Sequence, residues 1–376
     1  TLTSDGLLIA GSETGMVAVD EGKVVEKCRL GPGQMIGVDI EAGKLYRDRE
    51  LKDMLAASRP YGDWTTRTIA LDSLIRSAKV ETPANDRQTL RTHQTAMGWT
   101  IEDLELILHP MIEDGKEAVG SMGDDTPVAV LSQQYRGLHH YFRQNFSQVT
   151  NPPIDSLRER GVMSLRTRLG NLGNILDESP EQCELLQLES PILTNAQFRA
   201  MREYMGDTAV EIDCTFDAHG NEHALRDALA RIRTEAEDGV RGGCLHVILH
   251  DTHIGPDRAP IPIILAANEV NSHLVRQSLR TFTSLNVRSA ECLGVHYAAV
   301  LIGVGATTVN AYMAEQAIVD RFSRGLLGKM ALEDCIKNYK KALDEGLLKI
   351  MSKMGISIIS SYRGGYNFEA LGLSRA

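Results

Sequence analysis

The apolar positions of this chain change their spacing twice. Between residues 5 and 47, short apolar runs at 6–10, 16–19, 24–30 and 35–40 are separated by Glu21-Gly22, Gly31-Pro32-Gly33 and Ala42-Gly43. Strand-length runs divided by glycine turns predict an antiparallel β meander. Residues 49–58 then read as a helix, ended at Pro60-Tyr61-Gly62. From 65 to 115 the chain is polar with helical spacing. Thr100 precedes a helix over 101–112, and Asp103 three positions on makes an acidic variant of the capping box. Leu104, Ile107, Leu108 and Met111 fall on one face of that helix.

From 185 to 310 the pattern alternates. Residues 211–216 read as a strand and 224–239 as a helix with Leu225, Leu229 and Ile232 on one face. Residues 244–249 are apolar save for His246, and 261–282 form a long helix opened by Pro262. A short strand at 286–288, a strand at 295–302 and a helix at 307–322 follow. Strand–helix alternation predicts α/β architecture, a parallel sheet with flanking helices preceded by the short antiparallel meander. Continuous apolar strands imply burial on both faces. Residues 331–354 read as a helix pair whose stripe is Ile336, Tyr339, Leu343, Leu347, Ile350 and Met351, and residues 368–371 as the start of another helix.

Residues 119–159 fit neither texture. A small-residue turn from Gly120 to Thr126 leads through His139-His140-Tyr141-Phe142-Arg143 to Thr150-Asn151-Pro152-Pro153-Ile154-Asp155. Two consecutive prolines fix φ and remove two backbone donors, and Asn151 before them is driven extended. This is a stiff, shaped loop without a nucleophile–base pair. Asp124 and Asp125 are adjacent, which suits a turn or cap better than an acid and base set across a cleft. The aromatic stretch reads as a packed helix face rather than a base-stacking platform.

Composition narrows the function classes. The 376 residues suit one large domain or two to three modest ones, and 43% hydrophobic with 24% charged is ordinary for a globular protein. A net charge of −10 argues against nucleic-acid binding, and no apolar stretch reaches the ~18 residues of a membrane span. Six scattered cysteines read as reduced thiols, which points to the cytoplasm. The chain begins Thr1-Leu2-Thr3 and stops at Ser374-Arg375-Ala376, so both ends read as cuts in a longer polypeptide.

Three further groups offer chemistry. Gly303-Val304-Gly305-Ala306 follows an apolar run and reads as a strand–turn–helix junction, either a packing turn or a phosphate contact at a helix N-terminus. The third small residue of a dinucleotide fingerprint is absent, because Thr308 stands there. His246 and His250 would share a strand face, with Asp251 and His253 at its C-terminal end. They are ordinary hydrogen-bonded histidines or a metal or proton-transfer site with no obvious completing ligand. Arg363-Gly364-Gly365 is a structural turn or a contact for an anion or a partner domain.

Read together, these segments resemble the large subunit of glutamate synthase. The resemblance rests on Gly31-Pro32-Gly33-Gln34-Met35, Gly120-Ser121-Met122-Gly123-Asp124-Asp125-Thr126-Pro127 and Thr150-Asn151-Pro152-Pro153-Ile154-Asp155. It continues in Leu188-Glu189-Ser190-Pro191-Ile192-Leu193, Gly303-Val304-Gly305-Ala306 and Lys353-Met354-Gly355-Ile356-Ser357. His250-Asp251 departs from the family's frequent Ser-Asp, and Asn310-Ala311-Tyr312-Met313 from a commoner Asn-Pro-Tyr-Leu. The resemblance implies that residues 1–50 are the last strands of a glutamine amidotransferase domain. Residues 51–376 would be the central α/β domain, helical and loop-rich over 51–160, then alternating over 161–376 like a degenerate (β/α) barrel. It implies no catalytic residue, metal or cofactor in this segment. FMN and an iron–sulfur cluster would belong to the parent enzyme, with electrons from a smaller subunit or ferredoxin. The amidotransferase and FMN-binding domains of the same polypeptide would be its partners. Thr150, Asn151, Pro152, Pro153 and Ile154 become candidates for an ammonia-tunnel wall, and Gly303, Gly305 and Arg363 weaker candidates for an anion or interface contact. The alternative is that the segment itself contributes a flavin, phosphate or metal site.

Overall fold

The computed structural model describes residues 1–13, 15–75, 86–118, 131–133, 135–145, 152–155, 157–171 and 173–374, in two compact units, Thr1–Thr65 and Thr66–Ala376. In the first unit Leu2–Thr3 pairs antiparallel with Val24–Glu26, and Gly37–Asp39 with Lys44–Tyr46. The expected meander is thus two separate ladders among the described residues. Between them Pro32 has no N–H to donate and Gly33 turns left-handed at φ +70, so the connecting segment makes a turn, closed by Gln34 N to Gly31 O at 3.0 Å. The helices Asp48–Ala57 and Tyr61–Thr65 follow.

The second unit is built on a four-stranded parallel sheet. Its strands are β1 (Ala209–Asp213), β2 (His246–His250), β3 (Ser284–Arg288) and β4 (Thr308–Asn310), in the order β4-β3-β2-β1. Helix α1 (Asn195–Met205) precedes them. The crossovers are α2 (Ala224–Arg241), α3 (Ile263–Arg276) and α4 (Val295–Gly303), one per strand-to-strand connection as parallel pairing demands. Helices α5 (Tyr312–Ser323) and α6 (Leu332–Lys353) complete it. The sheet is open, and no closed barrel forms among the described residues.

Register gives this sheet two chemically different faces. Val210, Val247 and Leu285 stand in one row and Ile212, Leu249, Val287 and Val309 in the next, all turned into the main apolar core with the crossover helices. On the other face Glu211, Ile248, Asn286 and Thr308 form one row and Asp213, His250, Arg288 and Asn310 another. Burial on both sides therefore holds for β2, but the second side is mostly polar. Ile248 joins the smaller core with Phe198, Met201 and Met205 of α1, and Ala209 of β1 packs against it.

Several sequence expectations change here. Residues 295–302, expected as a strand, form helix α4, and 307–310, expected to open a helix, hold strand β4. An unbroken apolar run has no periodicity to separate a buried strand from a helix buried all round, and α4 is the latter. Residues 331–354 are one helix rather than a pair, with every stripe residue buried as expected. The helix expected over 261–282 stops at Arg276. Residues 368–370 pair as a strand with Phe142–Gln144 instead of opening a helix, and that places Phe142 and Arg143 on a strand rather than a helix face. The Thr100 cap is as read: Thr100 N donates to Asp103 Oδ2 at 2.7 Å and Asp103 N to Thr100 Oγ1 at 3.2 Å.

Candidate functional site

Each of the four parallel strands ends on a polar residue, and register lays Asp213, His250, Arg288 and Asn310 side by side across the carboxyl edge. Function in open α/β sheets gathers at that edge. Behind it the inner row is self-satisfied. His246 Nδ1 lies 2.8 Å from Ser284 Oγ, Asn286 Nδ2 donates to the same oxygen at 2.8 Å, and Thr308 Oγ1 donates to Asn286 Oδ1 at 2.8 Å. Burial holds the His246 imidazole down to about 4, so it is neutral at physiological pH.

The edge itself is more loosely paired. The Arg288 guanidinium lies 5.2 Å from the centre of the Phe198 ring and 5.3 Å from that of Tyr312, within cation–π range, and its Nε has no hydrogen-bond partner among the described residues. Asn310 Nδ2 donates to Leu193 O and Asn195 Oδ1, both at 3.0 Å. Asp251, fully buried just beyond β2, accepts from Ala290 N at 2.9 Å and Ser289 Oγ at 3.1 Å, and burial pushes its carboxyl up to about 7.

At the β1 end Asp213 anchors a polar knot. Its Oδ1 accepts from Thr215 N at 3.0 Å and Thr215 Oγ1 at 2.8 Å. Its Oδ2 meets Arg258 Nη2 at 3.0 Å and His253 Nδ1 at 3.2 Å. Burial opposes the charge, yet these bonds from Thr215, His253 and Arg258 hold the carboxyl below the usual aspartate range. His250 Nδ1 lies 3.0 Å from Thr252 Oγ1, and burial lowers the basicity of its ring. Asp213, His250 and His253 place one ligand atom each within 4.8 Å of one another.

The three histidines expected as one group are therefore split: His246 sits at the amino end of β2, the other two at its carboxyl end. Asp213, which takes the place of His246, was missed in the sequence. The signal that could have found it is parallel register, which aligns the end of β1 with the end of β2.

Gly303, Gly305 and Arg363 are brought together, but not as a phosphate cradle. Gly364 N donates to Ile302 O at 3.0 Å and Tyr366 N to Gly303 O at 3.1 Å. Because 295–303 is a helix, the turn lies at a helix C-terminus, whose carbonyls attract cations rather than anions. Arg280 answers that polarity by donating to Gly305 O at 2.8 Å, Thr283 O at 2.6 Å and Asn271 Oδ1 at 2.7 Å. The 363–365 stretch is itself a turn, closed by Gly365 N to Tyr362 O at 3.1 Å.

Of the loop residues, Thr150 and Asn151 lie outside the described residues, as does the 120–126 turn. Pro152 and Pro153 are exposed; Ile154 is half-buried, and its N–H donates to Ser352 O at the end of α6 at 2.8 Å. Asp155 Oδ1 accepts from Leu157 N and Arg158 N, both at 3.0 Å, which closes the next turn. All six cysteines are free thiols, and among the described residues no helix is long and apolar enough to cross a membrane.

The small unit of antiparallel pairs has a family of its own: residues 1–64 match the class-II glutamine amidotransferases. Residues 92–374 match the glutamate synthase central domain. The chain belongs to the glutamate synthase family. It is 68% identical over 378 residues to the glutamate synthase [NADPH] large chain of Azospirillum brasilense, across 100% of this chain and 25% of that protein. It is 39% identical over 388 residues to ferredoxin-dependent glutamate synthase 2 of Synechocystis, across 99% of this chain and 25% of the relative. Against glutamate synthase [NADH] of Schizosaccharomyces pombe the identity is 38% over 385 residues, 99% of this chain and 18% of that protein. The chain thus spans about a quarter or less of these relatives.

Proposed function

We propose that this chain is the middle of a glutamate synthase large chain, a connector that holds the glutaminase and FMN-binding domains in register and walls part of the ammonia path between them. The parent enzyme then makes glutamate from glutamine and 2-oxoglutarate in the cytoplasm. FMN and an iron–sulfur cluster bind outside this segment, and electrons come from a smaller subunit or ferredoxin. The observation that carries the reading is the loop at Pro152, Pro153 and Ile154. Two exposed prolines are pinned through Ile154 to the C-terminal end of a 22-residue helix, so the loop presents a fixed, uncharged surface. Ammonia protonates in bulk water, so a conduit has to be rigid, uncharged and closed to solvent. Thr150 and Asn151, which lie outside the described residues, precede the two prolines in the sequence with small polar side chains.

The test is Ile154→Ala in the full-length enzyme. Glutamine hydrolysis and glutamate formation are measured together. Release of free ammonia in excess of glutamate synthesis is the expected outcome. An unchanged ratio of the two rates would overturn the tunnel assignment.

A further inference from the structure

We propose that the carboxyl ends of β1 and β2 form a three-ligand site for a divalent transition metal such as zinc, with Asp213, His250 and His253 as ligands and Arg258 as the cation that fills it when metal is absent. Two imidazoles and one carboxylate, with an open position, are a recurrent donor set for zinc and its neighbours. His253 Nδ1 and Asp213 Oδ2 are already 3.2 Å apart, and all three ligand atoms fall within 4.8 Å of each other. Ligands at about 2.0–2.2 Å from a common zinc lie roughly 3–3.5 Å apart, so closure asks for a shift of about 1 Å. The exposed side chain of His253 is free to make it.

The surroundings are those of a ligand set already oriented. Metal ligands are held by hydrogen bonds from behind, which fix their direction and tautomer. Here Thr215 occupies Asp213 Oδ1 twice and leaves Oδ2 for coordination. Thr252 occupies His250 Nδ1 and leaves the other ring nitrogen for the metal.

Arg258 explains how the same carboxylate is balanced without a metal. Its Nη2 sits on Oδ2, the oxygen the metal would take. It also donates to Thr215 through Nε to Oγ1 at 2.9 Å and through Nη2 to the carbonyl at 3.2 Å, so on displacement it keeps partners. A bound metal would tie the turn after β2, which carries His253, to the end of β1.

This arrangement makes a prediction of opposite sign for two neighbouring residues. The full-length polypeptide is treated with chelator and titrated with Zn²⁺, and affinity, bound zinc and melting temperature are read. His253→Ala should remove one zinc per chain or weaken it by about tenfold or more, and abolish the zinc-dependent rise in melting temperature. Arg258→Ala removes the competing cation and should tighten zinc binding severalfold. His219→Ala, at an exposed His–Asp pair outside the knot, should leave binding unchanged. Equal binding by wild type and His253→Ala, or weaker binding by Arg258→Ala, would overturn the site. His253 and Arg258 are both exposed in their side chains, so each variant is expected to fold, and the metal-free melting temperature verifies it.

Discussion

Gly305 shows how little room single residues have near the end of α4. Its φ is +121, and a Cβ there would fall 2.3 Å from the Asn271 side chain. Asn271 is itself buried and held by Arg280 and by the Tyr366 hydroxyl, to which it donates at 2.9 Å. Gly305→Ala therefore combines backbone strain with a clash, and should lower stability by about 2–4 kcal/mol in urea unfolding. Glu291 carries a pH dependence. Its carboxyl is enclosed, accepting from the Tyr297 hydroxyl and from Ile263 N at 3.0 Å, and it faces Asp251 and the Cys292 thiol. Burial raises its pKa above the unfolded value of 4.5, so the folded state holds this proton more tightly. Its contribution is complete below the unfolded value and is lost as pH rises through the folded one. Glu291→Gln should flatten the fall in stability as pH rises above 4.5, read as urea midpoints across a pH series. At this scale the sequence was partly legible. The Thr100–Asp103 cap is a local signal and could be read, whereas Asp213 and Arg258 are 45 residues apart and meet only through the fold.

Elements were legible where periodicity was. Helices α2 and α6 announce themselves by a stripe: that of α6 is buried, and in α2 Ile232 is buried with Leu225 and Leu229 half-buried against the same core. Helix α4 does not, because an element covered on every side has no polar face to set the period. That single misreading reversed the polarity of the turn after it and with it the phosphate interpretation. The same enclosure brings α4 very near α6: at Gly346 a Cβ would lie 2.4 Å from Val295 Cγ2. Gly346→Ala should destabilise by about 1–3 kcal/mol, and Val295→Ala should recover part of that loss in the double mutant, as measured by a thermodynamic cycle. A cycle without coupling would mean the helices move apart instead.

The whole molecule depends on contacts that no local pattern encodes. The strand Phe368–Ala370 pairs with Phe142–Gln144, and Phe368 packs on Phe142, Tyr362 and His296 while filling the space beside Gly303. Phe368→Ala should cost about 2–3 kcal/mol, seen as a lower melting temperature of the second unit. Alternation of strands and helices made the α/β class readable, but an open rather than closed sheet could not be read from it, since closure is decided by strand number and stagger.

The two-faced sheet has one more consequence, for how the chain avoids misfolding. Parallel strands joined by long crossovers form slowly, and each pairing has neighbouring registers that bond the backbone equally well. Sliding any of these strands by one residue would turn its polar row into the aliphatic core and its aliphatic row outwards. With Glu211 and Asp213 on β1, His246 and His250 on β2, and Asn286 and Arg288 on β3, every such slip would strand charged or polar groups without partners. The polar rows thus penalise misaligned sheets and favour the native register.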